Sequence, residues 1–197
     1  SRAIAHRATQ TACGQSRELQ MMADGDLSWQ VYLEAARGKS GPFFALPLEG
    51  ALLVAGRTMP HARAVADATL ALGELYQIRD DVLDLYGDKG RDAVGNDLRE
   101  GKISALVVAH LEAAPDEADD LLRVLRAPRQ ETSDADVERF TTAFIQRGSL
   151  ERVVARAQAV ADTLLASPAL CREPGLHEVV SGLTHQLMRP LTAAFAA

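Results

Sequence analysis

The chain has 197 residues, 47% of them apolar and 24% charged, with a formal net charge of −6. This is ordinary composition for a globular domain with its own core; the acidic balance excludes the basic stripe of a nucleic-acid surface, and no apolar run is long enough to span a bilayer. The two cysteines, Cys13 and Cys171, show neither metal-ligand spacing nor a disulfide framework, which fits a reducing cytoplasm.

Hydrophobic periodicity reads as helix after helix, with no alternating strand pattern, so the fold class is all-α and residues 1–197 read as a single helical domain. Residues 1–13 have the pattern of a helix end, and Gly14 to Leu27 of a helix or a helix and loop. A long apolar helix is predicted from Trp29 to about Gly56 with Ser28 as N-cap, bent or interrupted by Pro42 and Pro47 because proline removes a helical hydrogen bond. A third helix is predicted from about Ala62 to Tyr86. The Gly-, Asp-, Lys- and Arg-rich stretch Gly87–Gly101 reads as a loop. Shorter helices follow at about 103–113, 115–126, 134–147, 150–166 and 175–189; Ser133 and Asp136 have capping-box spacing, and Ser149 is positioned to cap the next helix.

The chemistry concentrates on the third helix. Gln77, Asp80, Asp81, Asp84 and Asp88 are three or four apart and share one face, with Leu75, Ile78, Val82 and Leu85 on another. Like charges at these spacings each cost a helix about 0.2–0.5 kcal/mol, and aspartate is a poor mid-helix residue. A divalent cation compensates both costs. Magnesium takes hard oxygen ligands, commonly one or two carboxylates plus phosphate oxygens, and Asp80 and Asp84, one turn apart, can approach one ion while Asp81 acts through water or orients its neighbours. A solvated acidic face is the plainer alternative. The Asp24-Gly25-Asp26 run begins like a calcium loop but has Trp29 where glycine is needed and no closing glutamate.

The segment Tyr76-Gln77-Ile78-Arg79-Asp80-Asp81-Val82-Leu83-Asp84, then Gly87-Asp88, then Gly95-Asn96-Asp97 through Gly101-Lys102 resembles the second aspartate-rich motif of the trans-isoprenyl diphosphate synthases, the polyprenyl synthetase family. Tyr76 stands for the usual Phe and Ser104 for the usual Thr or Ser. Upstream, Gly14-Gln15 with Glu18-Leu19 resembles that family's GQxxDL segment, with Glu for Asp, and Gly38-Lys39-Ser40-Gly41-Pro42-Phe43-Phe44 its KTGxLF segment. The resemblance implies an antiparallel helical bundle around a central cavity, here with the N-terminal helices absent. It implies a farnesyl- or geranylgeranyl-type prenyltransferase that joins an allylic prenyl diphosphate to isopentenyl diphosphate head to tail and releases pyrophosphate, with Mg2+ as cofactor, in a cytoplasmic homodimer without a membrane anchor.

Carried over residue by residue, the resemblance makes Asp80, Asp81 and Asp84 the metal ligands, with Asp97 acting on the metal through water. Lys39 and Lys102 would bind the diphosphate, Gln77 would lie near the reacting groups, and Ser40 and Gln15 would line the cavity beside the allylic carbon. Lys89 and Arg91 are both candidates for a basic charge that closes over substrate. Phe43, Phe44 and Tyr76 read as core or cavity wall. The family's first aspartate-rich motif and its isopentenyl diphosphate segment are not found within these residues, so the chain corresponds to the later part of a family member. A non-catalytic or regulatory subunit is therefore an alternative. A class I terpene cyclase is a weaker one, since Asn96, Glu100 and Ser104 stand in the wrong order for its metal triad.

Overall fold

The computed structural model describes residues 2–87 and 94–196. Eleven α-helices follow one another, and no strand occurs among the described residues: α1 Arg2–Asp24, α2 Trp29–Val54, α3 Met59–Ala68, α4 Ala71–Tyr86, α5 Asn96–Arg99, α6 Ala105–Ala113, α7 Ala118–Arg126, α8 Asp134–Gln146, α9 Ser149–Leu165, α10 Pro168–Cys171 and α11 Pro174–Ala196. The all-α expectation holds. No helix among the described residues is long and apolar enough to cross a membrane.

The centre of the bundle is α4, which packs on α2, α9 and α11. Its Leu72, Leu75, Ile78 and Val82 are fully buried, and so is the apolar run Ala105–Ala109 of α6 beside it. A helix buried around much of its girth cannot show a clean amphipathic stripe, and α6 accordingly opens on the unbroken apolar run Ala105–Ala109. The aspartates of α4 thus start from the middle of the molecule, while α1 lies on the outside against α2.

Several boundaries differ from expectation, each for a packing reason. Helix α1 runs unbroken through Gly14, because this glycine serves a helix crossing: a methyl group on it would overlap the backbone nitrogen of Lys39 in α2. Helix α2 likewise runs on through Pro42 and Pro47; α1 packs against it, as do α3 and α4, and that packing offsets the lost hydrogen bonds. The helix expected over 62–86 is two helices. They are joined at Thr69 and Leu70, where i→i−3 bonds replace the regular ladder (Leu72 N–H to Thr69 O at 3.0 Å, Gly73 N–H to Leu70 O at 2.9 Å) and the α2 backbone presses on Leu70 at Gly41. Ser28 caps α2, and Ser133 with Asp136 forms the expected capping box. Ser149 does not cap α9: Gly148, with φ +73°, takes the cap position, and Ser149 turns its hydroxyl inward to His110 Nδ1 at 3.0 Å. Within the expected loop, α5 forms a single turn, and α10 was not anticipated.

Candidate active site

On α4 the side chains of Gln77, Asp81 and Asp84 are buried, and Asp80, one step round the helix, is partly exposed. A carboxylate held away from water needs donors on its lone pairs. Asp81, 1% exposed, finds them on both oxygens. Its Oδ2 accepts from the Tyr32 hydroxyl at 2.7 Å and the Ala105 backbone N–H at 2.8 Å; its Oδ1 accepts from Gln77 Nε2 at 2.9 Å and Lys102 Nζ at 2.6 Å. Ala105 opens α6, whose first-turn N–H groups have no helical partner, so the bond to Asp81 satisfies both sides.

Asp84 holds Gly95 and Asp97 against the end of α4. The Asp84 carbonyl accepts from Gly95 N–H at 3.1 Å and its Oδ2 from Asp97 N–H at 3.0 Å. The turn of α5 then presents Asp97, whose Oδ2 accepts from Lys102 Nζ at 2.8 Å, so the ammonium bridges Asp81 and Asp97. Burial alone would lower the Lys102 ammonium, but these two carboxylates outweigh it and hold it above the ordinary lysine range. Burial also acts on Asp97: together with the charges of Asp81 and Asp84 it pushes this carboxyl up to about 6, against the pull of Lys102.

A second group sits where α1 crosses α2. Lys39 Nζ meets Glu18 Oε2 at 2.6 Å, and Gln15 Nε2 donates to the same oxygen at 3.0 Å. The crossing is tight at Gly14 and Gly38, which lets Gln15 and Glu18 reach across to Lys39. Ser40 is buried at the next crossing, where Gly73 of α4 meets the backbone of Ser40 and Gly41. Tyr32 lies between the two groups: burial raises its hydroxyl well above the ordinary tyrosine range, and the charges of Asp81, Asp97 and Glu18 add to the effect.

The expected residues thus fall into two networks, Gln77–Asp81–Asp84–Asp97–Lys102 and Gln15–Glu18–Lys39, with Ser40 beside them. Asp88, Lys89 and Arg91 lie outside the described residues. Among the described residues no group of three or more His, Cys, Asp or Glu side chains is arranged to hold a metal ion; the cation that Asp81 and Asp97 share is the Lys102 ammonium. Of the aromatic residues, Phe44 is partly buried against the core and packs on Tyr76 with ring centroids 6.1 Å apart, whereas Phe43 is 72% exposed and Tyr76 40%. Sequence reasoning passed over Tyr32, although it stands seven positions before Lys39, two turns along one face of α2. It also passed over the pair of Arg37 with buried Glu74, 2.9 Å apart, which ties α2 to α4 beside the same crossing.

The all-helical fold and a buried acid–lysine network at the heart of the bundle define a class, and comparison with known proteins specifies it. The Polyprenyl synthetase family profile matches residues 1–144, and the chain belongs to that family. Farnesyl pyrophosphate synthase 2 of Arabidopsis thaliana is 32% identical over 120 residues, 57% of this chain and 35% of that protein. Octaprenyl diphosphate synthase of Escherichia coli K12 is 26% identical over 175 residues, 87% of this chain and 53% of that protein. The crystal structure of polyprenyl synthase from Caulobacter crescentus, complexed with calcium and isoprenyl diphosphate, superposes with a TM-score of 0.79 at 29% identity, over 95% of this chain and 57% of that one. The chain spans about a third to a little over half the length of these relatives.

Proposed function

We propose that this chain forms the diphosphate- and metal-binding part of a trans-prenyltransferase that condenses an allylic prenyl diphosphate with isopentenyl diphosphate. The observation that carries the reading is the Lys102 ammonium held between Asp81, on the helix with the aspartate stripe, and Asp97 of α5. A lysine held between carboxylates in this way suits a metal–diphosphate pair, in which ion and anion each find their counterpart. The donor set fits Mg2+: hard carboxylate oxygens, with the Asp97 carboxyl raised first by burial and then by the charges of Asp81 and Asp84. Asp80 and Asp84 would hold the ion, with Asp97 acting through water. When bound, it supplies Lewis acidity to the departing diphosphate.

The chain's own residues divide the remaining work. Asp81 has both oxygens committed to protein donors, so its part is to anchor Lys102 and orient the stripe. Lys102 and Lys39 bind the diphosphate as point charges, each exchanging a protein carboxylate for a phosphate oxygen. Gln15 shares the Glu18 oxygen with Lys39 and so fixes where that lysine starts. Gln77 holds Asp81 from within α4, and Ser40 fills the α2–α4 crossing at the cavity wall. The allylic C–O bond breaks with its electron pair leaving on pyrophosphate. The isopentenyl double bond attacks the resulting cation, and a proton is lost to the pyrophosphate. On the same reading residues 1–197 are one helical domain of a cytoplasmic homodimer; the exposed, unpaired Cys13 and Cys171 are in keeping with a reducing compartment.

The test uses the protein as its gene encodes it, assayed with magnesium, an allylic diphosphate and labelled isopentenyl diphosphate. Asp80→Ala and Asp84→Ala should each lower kcat by about two orders of magnitude or more, the scale on which removing transition-state charge stabilisation acts. Near-normal turnover in both variants would overturn the assignment.

A further inference from the structure

We infer that Tyr32 is a positioning residue for the diphosphate site, holding Asp81 in the orientation from which it presents Lys102. The inference deepens the prenyltransferase reading and rests on it. Asp81 is the hub of the site, and three of its four donors come from α4 itself and the segment that follows it: Gln77, Ala105 and Lys102. Tyr32 supplies the fourth from α2, 49 residues away, at 2.7 Å. Its position leaves little freedom. The residue is buried, its ring meets Trp29 edge-on with centroids 5.7 Å apart, and Trp29 Nε1 donates to Glu112 Oε2 of α6 at 3.1 Å. The hydroxyl is thus braced against α6, the helix whose first backbone N–H meets the same Asp81 oxygen.

A phenol has one proton to donate, and here it goes to Asp81 Oδ2. Without it that oxygen keeps a single donor, and rotation of the carboxylate about its last torsion, a broad and soft one, displaces Oδ1 from Lys102 and Gln77. Tyr32 also stands two turns from Lys39 on the same α2 face, so one helix sets the depth of both lysine groups. The hydroxyl touches no reacting atom in this arrangement; it acts through Asp81 on Lys102.

The experiment is Tyr32→Phe in the full-length protein, which removes one oxygen and keeps the ring packing. Magnesium pyrophosphate binding, measured by calorimetry, should weaken about tenfold, the effect of one charge-assisted hydrogen bond. The KM for the allylic diphosphate should rise by a similar factor, with little change for isopentenyl diphosphate. In a Lys102→Ala background the same substitution should add less than twofold, because its route to the substrate has been removed. Tyr86→Phe, which loses a partly buried hydroxyl bond of the same length to Thr141 O of α8, should leave pyrophosphate binding unchanged and controls for a purely structural loss. Absence of pyrophosphate binding by the parent protein, unaltered binding in Tyr32→Phe, or full additivity with Lys102→Ala would overturn the inference. Pyrophosphate binding that follows the expected pattern without any prenyl transfer would instead overturn the functional reading and leave Tyr32 as a positioning residue of an anion site.

Discussion

Asp97 is the residue at which the cost of burying the site's charge can be measured. Its carboxyl is raised from 3.8 to about 6, first by burial and then by Asp81 and Asp84, with Lys102 opposing. The folded state therefore takes up the Asp97 proton at a higher pH than the unfolded chain does. For this group stability is fully present below about 3.8 and is lost as pH rises towards about 6. At neutral pH the ionised Asp97 costs the metal-free protein up to about 3 kcal/mol, and the partly exposed position makes that an upper bound. Asp97→Asn should therefore be more stable than the parent at pH 7.5 in chelator-containing buffer, with the advantage shrinking towards pH 4 in urea denaturation; equal pH slopes in the two proteins would refute this. His110 acts in the opposite sense. Burial lowers its imidazole below 6.5 against the pull of Glu117, so the unfolded chain protonates first and stability falls as pH drops below about 6.5. The tautomer that donates Nε2–H to Glu117 and accepts from Ser149 at Nδ1 satisfies both neighbours while the ring stays neutral. Asp97 and His110 therefore have to be measured in separate variants, since in the parent their slopes partly cancel.

At the scale of the helix, the site depends on how closely backbones approach. Added methyl groups at Gly14 and Gly73 would meet backbone atoms of α2, which cannot swing aside as a side chain can. Gly14→Ala and Gly73→Ala should each destabilise by about 2–3 kcal/mol, the upper part of the overpacking range. Gly50→Ala, in the same α2 but with nothing near its added carbon, should instead gain about 0.5–1 kcal/mol. Urea denaturation of the three variants separates crossing from propensity, and a loss at Gly50 as large as at Gly14 would contradict the packing account. These glycines also mark where sequence was a poor guide. Gly14 and the prolines of α2 are local signals of interruption, and tertiary packing overrode both. The aspartate stripe was legible because its spacing is a property of one helix, and so were the cap at Ser28 and the box at Ser133. The partners of Asp81 were not, because periodicity reports which face a residue occupies and not which distant side chain meets it. Tyr32 and Lys102 arrive from 49 and 21 positions away.

For the molecule as a whole, the open question is what keeps α1, on the outside of the bundle, in register with the rest. It supplies Gln15 and Glu18 to the Lys39 group, and it packs chiefly on α2. One attachment is a buried ionic one. Arg7, 1% exposed, meets Glu49 Oε2 of α2 with Nε at 3.0 Å and Nη2 at 2.7 Å, while Nη1 reaches Asp67 of α3 at 2.7 Å and Gln10 at 3.0 Å. Burying these charges costs desolvation that the pairing roughly repays, so the pair adds little net stability, yet removing one member leaves the other uncompensated. Arg7→Ala should therefore destabilise by about 3–5 kcal/mol, whereas the apolar double replacement Arg7→Met with Glu49→Leu should recover most of that loss. Asp67 is half exposed and can turn to water when its partner is gone. The double variant also separates stability from register. An apolar pair packs without the directional bonds that fix α1 along its axis, and Gln15 and Glu18 lie two and three turns further along that helix. Restored denaturation midpoints with still-weakened magnesium pyrophosphate binding would assign the buried pair to alignment of the Lys39 group. Binding that returns together with stability would assign it to cohesion alone.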